Sequence, residues 1–121
     1  MPRFVSLIRV DENQPEGEPS PELMARMDVL IKEMTEAGAM LDTGGLAPMA
    51  DSRRVRGNGG TVTVLDGPFA EAKEVVGGYM LIQAADLAEA VEWTRRFVEI
   101  HEDEWDISCE VRQIFGPSDA G

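Results

Sequence analysis

The chain opens on Phe4–Val10, a short apolar run rich in β-forming residues and interrupted only by Ser6 and Arg9. It predicts a strand with both faces largely covered. The polar stretch 11–20, with two prolines and a glycine, predicts a loop. Ser20-Pro21 then supplies an N-cap followed by proline at the first helical position. Leu23, Met24, Met27, Leu30, Ile31, Met34 and Ala37 recur at helical spacing, and Gly38 follows as the stop. The opposite face of this helix carries Arg26, Lys32, Glu33 and Glu36.

Ala39–Leu46 predicts a second strand, broken by Gly44-Gly45. Arg53–Arg56 and Thr61–Leu65 flank the turn Gly57-Asn58-Gly59-Gly60, the pattern of a β-hairpin. Asp66–Glu74 is polar and turn-rich. Gly77-Gly78 opens Tyr79–Ala84, a nearly continuous apolar run expected to be a central strand. Asp86 and Glu89 form an aspartate version of the capping box. The helix they start has Leu87, Ala90, Val91, Thr94, Phe97 and Val98 on its inner face. Residues 102–104 read as a loop, Ile107–Phe115 as the last strand and 118–121 as a frayed tail.

The order β-α-β, hairpin, β-α-β predicts an α+β protein. Two amphipathic helices between strands suggest a ferredoxin-like sheet with both helices on one face. The hairpin at 53–65 is extra to that plan and is expected to protrude as an insertion. The first strand, the Tyr79–Ala84 strand and the last strand read as apolar on both sides, so the other sheet face needs a cover. A second copy of the same sheet is the simplest one, which predicts a homodimer.

At 121 residues, without an internal repeat or a linker, the chain reads as a single domain over 1–121. No apolar run approaches the ~20 residues of a membrane span. The N-terminus does not resemble a signal peptide, so a cytoplasmic location is the expectation. Net charge is −12, with acid concentrated in 11–36 and 86–110 and one basic knot at Arg53, Arg54 and Arg56. A field of that sign disfavours direct nucleic-acid binding and contact with anionic membranes. The single cysteine, Cys109, excludes an internal disulfide and a cysteine-rich metal site.

The run Asp66-Gly67-Pro68-Phe69-Ala70-Glu71-Ala72-Lys73-Glu74 resembles the motif that names the DGPF family of the YCII-related superfamily. Gly77-Gly78-Tyr79, Glu92-Trp93 and Glu110–Phe115 also look like that family. The resemblance implies a dimeric α+β barrel, two sheets packed face to face, and a cleft between sheet and helices. It implies no defined reaction. The superfamily includes lactone isomerase relatives and a dehalogenating enzyme, and many DGPF members are encoded beside extracytoplasmic-function sigma factors. Short YCII-type members pair a histidine near the start of the first helix with an aspartate. Residues 20–26 here contain no histidine, so that pair does not carry over.

The residues leave several roles open. Asp66 is either part of a rigid turn that orients Phe69 into the core or a carboxylate held at a cleft mouth, because aspartate bonds its own turn and Pro68 fixes the backbone. Lys73 and Glu74 are either solvated or the rim of a ligand site, with Lys73 able to meet an anion. His101 is either a helix C-cap or a general acid or base that would act with Asp66. Arg9 and Arg112, in otherwise apolar strands, are either inter-strand or inter-subunit ion-pair partners or an anion clamp. Consecutive residues 101–104 do not make a metal site, and the 57–60 turn lacks the strand-to-helix context and lysine of a phosphate loop. No metal or cofactor is expected. The function classes carried forward are three. One is binding or conversion of a small organic metabolite, isomerase-, lyase- or hydrolase-like. The second is a regulatory or interaction module on a sigma-factor pathway, and the third an inactive structural dimer.

Overall fold

The computed structural model describes residues 1–11, 19–69, 75–101 and 105–116. Eight elements place the site: β1 (Arg3–Val10), α1 (Pro21–Glu36), β2 (Met40–Gly45), β3 (Arg53–Asn58), β4 (Thr61–Asp66), β5 (Val75–Gln83), α2 (Leu87–His101) and β6 (Ile107–Ile114). The protein is α+β. Four strands form one antiparallel sheet in the order β2-β5-β1-β6. The two most apolar strands, β5 and β1, take the middle, where both edges are hydrogen-bonded and neither face is freely solvated.

Both helices start where their caps predict. The Ser20 hydroxyl accepts from the Leu23 N–H at 3.1 Å, and the Asp86 carboxylate accepts from the Glu89 N–H at 2.9 Å. Gly38, just beyond α1, has φ of 73°, the left-handed turn that lets the chain leave the helix toward β2. Both helices pack on one sheet face. Phe4, Met80 and Ile82 from the sheet join Leu23, Leu30 and Met34 of α1 and Ala90, Phe97 and Ile100 of α2 in one core. A buried hydroxyl pair, Ser6 Oγ to Thr94 Oγ1 at 2.6 Å, links β1 to α2, and Thr94 Oγ1 also donates to the Ala90 carbonyl at 2.9 Å. Thus Ser6, polar in an apolar strand, is satisfied within the core.

On the opposite sheet face, Val5 and Leu7 of β1 stand beside Leu81 and Tyr79 of β5, all half-buried. No described helix covers them. β6 differs from its expectation. Ser108, Glu110 and Arg112 are exposed while Ile107, Cys109 and Val111 are half-buried, so this edge strand is amphipathic rather than apolar on both sides. β5 also starts earlier than its apolar run, at Val75, and carries Gly77 and Gly78 inside the strand. A Cβ on Gly77 would sit 2.7 Å from the Val10 side chain, so the glycine there answers a close approach of β1. β2 likewise runs through Gly44-Gly45.

β3 and β4 form a two-stranded sheet of their own, paired with no main-sheet strand. The segment 53–66 therefore stands as an insertion between β2 and β5.

Candidate functional site

Four described residues of the Asp66–Phe69 turn tie down the root of the hairpin. Asp66, the last residue of β4, pairs with Arg53 Nε at 2.9 Å across the ribbon, and both side chains are mostly exposed. The Gly67 N–H donates to the Ser52 carbonyl at 3.0 Å. A Cβ on Gly67 would lie 1.9 Å from the Met49 carbonyl oxygen, so only glycine fits there. The Gly67-Pro68 peptide is cis. The Arg54 guanidinium lies 4.0 Å from the centre of the Phe69 ring, a cation–π contact. Phe69 is thus under an arginine of the hairpin. Lys73 and Glu74 lie outside the described residues, as does Glu71.

His101 is the last residue of α2 and is buried. Its Nδ1 lies 2.8 Å from the Phe97 carbonyl oxygen, and its ring sits 4.4 Å from that of Phe97 and 5.2 Å from that of Trp105. The Trp105 N–H donates to the His101 carbonyl at 2.9 Å. Asp66 and His101 have separate partners: Arg53 for Asp66, and Phe97 and Trp105 for His101. Arg9 and Arg112 share the face that no described helix covers. They sit on adjacent strands, Arg9 opposite Ser108 and Arg112 opposite Val5, with Glu110 between the two arginines along β6.

That same face carries a contact the sequence did not announce. The Tyr79 hydroxyl donates to Asp42 Oδ2 at 2.9 Å, from β5 to β2. The ring reaches it by lying across Gly44, where a Cβ would stand 3.1 Å from a ring carbon. The hydrogen bond to Asp42, and then that carboxylate's negative charge, hold the Tyr79 hydroxyl above the usual tyrosine range. Gly44, half of a strand-breaking signal by composition, is the trace of this close approach.

The concave feature with the character of a ligand site lies elsewhere. α2 packs over β1 and the edge strand β6, and between α2 and β6 a groove of about 500 Å³ remains. Leu87, Val91 and Val98 line it from the helix, and Ile107, Cys109 and Val111 from the strand. Thr94, Arg95 and Ser108 add its polar atoms. Arg95 is held by Glu92 and Glu99 on the outer side of α2. Burial pushes the Cys109 thiol up to about 11, so it stays protonated at neutral pH. Leu87 and Val91 are exposed, so these positions of the helical stripe face the groove rather than the core. A smaller hollow of about 270 Å³ lies between α1 and α2, lined by Arg26, Val29, Leu30, Arg96, Glu99 and Ile100. There Arg96 pairs with Glu33 at 2.6 Å.

None of Asp66, Phe69, His101, Arg9 and Arg112 is among the described residues lining the larger groove. Its lining comes from two ordinary apolar stripes, and the sequence signal for it was the apolar surplus on α2: Leu87 and Val91 beyond what the core takes up. Among the described residues no three metal-ligating side chains cluster, and no helix is long and apolar enough to cross a membrane.

An antiparallel four-stranded sheet with two helices on one face, an open second face and a helix–sheet groove defines a class of small α+β proteins. Within that class the chain belongs to the YCII-related domain family, whose model matches residues 3–108. It is similar to an uncharacterised protein of Rhizobium meliloti (strain 1021), with 34% identity over 73 residues. That similarity covers 60% of this chain and 59% of the relative, so the match spans less than two thirds of the relative's length.

Proposed function

We propose that this protein binds a small, largely apolar organic molecule in the groove between α2 and β6. The observation that carries the reading is the groove itself. Its volume of about 500 Å³ and its mostly aliphatic lining match the general character of small-molecule sites, which are concave, apolar and furnished with a few polar groups. The reading is binding rather than catalysis, because the groups at the groove are already committed. Thr94 is bonded to Ser6 and Ala90, Arg95 to two glutamates, and Cys109 is held as the thiol. Asp66 and His101 take anchoring roles in this account, one at the hairpin root and one under Trp105.

The probe is 1-anilinonaphthalene-8-sulfonate, an apolar molecule that fluoresces when shielded from water. The Val91→Trp variant places an indole in the groove at a position exposed enough to accept it. Its affinity for the probe should fall by about tenfold, the scale of roughly 1.4 kcal/mol of lost contact. An unchanged affinity overturns the reading.

The proposal includes a homodimer through the open sheet face. The strand order and the one-sided helices support the ferredoxin-like arrangement, and the 66–74 resemblance supports the DGPF branch with its face-to-face barrel. Half-buried Val5, Leu7, Leu81 and Tyr79 give that face an apolar centre, while Asp42, Glu110 and Arg112 give it a charged margin. Such a pairing should bury more than about 1,000 Å². Sedimentation at micromolar concentration should give a dimer, and a stable monomer contradicts it.

A further inference from the structure

The open sheet face carries opposite charges at its two margins, at one level. Asp42 lies opposite Leu81, Leu81 opposite Val5, and Val5 opposite Arg112, so one row crosses all four strands from β2 to β6. The next row is Gly44, Tyr79, Leu7 and Glu110. The middle of each row is apolar or aromatic and half-buried, while Asp42, Glu110 and Arg112 at the margins are exposed.

Asp42 is a fixed acceptor. Its Oδ1 accepts from the Thr43 N–H and its Oδ2 from the Tyr79 hydroxyl, both at 2.9 Å. Those bonds orient the carboxylate and leave each oxygen a lone pair. Arg112 is the matching cation. Among the described residues no carboxylate pairs with it. With roughly 4.8 Å between strands, the row holds the two charges roughly 14 Å apart, beyond direct contact within one chain.

A two-fold axis running along the strands, between β5 and β1, brings them together. It lays β6 over the second copy's β2 and β1 over its β5, and keeps every row at its own level. Arg112 then stands over the partner's Asp42, and Val5 and Leu7 stand over the partner's Leu81 and the partner's Tyr79. An extended arginine and a short carboxylate bridge the roughly 10 Å between packed sheets. The twist of roughly 30° between aligned sheets moves these margins by only roughly 4 Å, within an arginine's reach. An axis across the strands would set Arg112 over the partner's Glu110 instead and leave Asp42 with no cation. Glu110 needs no such partner, because Arg112 follows it on the same face of β6 and Arg9 is its diagonal neighbour on β1.

We propose that two copies of this chain pair through their open sheet faces about an axis along the strands, with Arg112 of each on the Tyr79-held Asp42 carboxylate of the other. The inference rests on the dimer reading and adds to it the register and the residues that set it.

Sedimentation of the full chain tests it with Asp42→Arg and Arg112→Asp, each checked for native far-UV circular dichroism. Either variant alone sets like charges together at both symmetric contacts. It should raise the dimer dissociation constant by about a hundredfold, roughly tenfold for each contact. An equimolar mixture of the two variants has opposite charges at both contacts and should dimerise within about threefold of wild type. A second measurement needs no charge reversal. The Arg112→Lys chain, treated with a water-soluble carbodiimide, should give a dimer-mass product joined from position 112 to the partner's Asp42. A wild-type dimer whose Asp42→Arg variant pairs as tightly, or whose two variants weaken and are not rescued by mixing, overturns the register and leaves the dimer standing. A dimeric Arg112→Lys chain joined across copies to Glu110, or not joined at all, overturns it likewise. A wild-type monomer overturns both.

Discussion

Gly67 is under the tightest steric constraint among the described glycines, with the Met49 carbonyl oxygen where a side chain would begin. Gly67→Ala must push the 48–52 segment or the turn aside, and it strains the Gly67–Ser52 backbone bond as well. Overpacking of this kind costs about 1–3 kcal/mol, so urea unfolding should shift by that amount while the Asp66 and Phe69 contacts loosen. A loss below about 0.5 kcal/mol would show that the root is not a rigid clamp. That this turn is rigid was legible in the sequence, since Asp-Gly-Pro carries its own backbone chemistry. Its partners were not. Arg53, Arg54 and Met49 meet it only through hairpin register and a short 3-10 turn, which no local pattern encodes. Phe69, read either as oriented into the core or as part of a ligand site, is half-buried beneath an arginine. His101 shows the same division: its position at the end of α2 followed from helical spacing, but the Trp105 ring against it and the Trp105 N–H on its carbonyl did not.

Elements were legible where capping and periodicity agree. α1 and α2 begin at their predicted caps, and the hairpin forms as expected but with a tighter turn: Gly57 and Asn58 pair within the ribbon and only Gly59-Gly60 turns. Where glycine pairs interrupt a strand, composition misleads. Gly44-Gly45 and Gly77-Gly78 read as breaks or openings, yet both lie within strands, and at Gly44, Gly77 and Gly78 the Tyr79 ring or a neighbouring strand passes too close for an unhindered side chain. β6 was misread for a different reason. Ile107, Cys109 and Val111 dominate its apolar count, but they alternate with Ser108, Glu110 and Arg112, and period 2 decides burial at a sheet edge. Arg112 is accordingly an exposed member of the open face, across from Val5, and Arg9 is its half-buried neighbour on β1. Their shared face, rather than any strand's hydrophobicity, is what makes them candidates for contact across a dimer.

The whole molecule is organised around unequal cover. Two helices shield one face of four strands, and because β6 is an edge strand under only one of them, a groove opens between α2 and β6. No sequence motif marks that space, since its walls are ordinary aliphatic residues from distant parts of the chain. The chemically distinctive residues, Asp66 and His101, drew attention to places that have structural partners of their own. Cys109 gives direct access to the claim that the groove takes a ligand, because it is the chain's single cysteine and lines the groove. Its reaction with 4,4′-dithiodipyridine can be followed while 1-anilinonaphthalene-8-sulfonate is titrated in. The raised thiol predicts slow reaction near neutral pH that keeps accelerating until about pH 11. With the probe bound in the groove, the Cys109 rate at fixed pH falls along the same saturation curve as the fluorescence rises. Probe fluorescence that saturates while the Cys109 rate stays unchanged would put the ligand somewhere else and contradict the account.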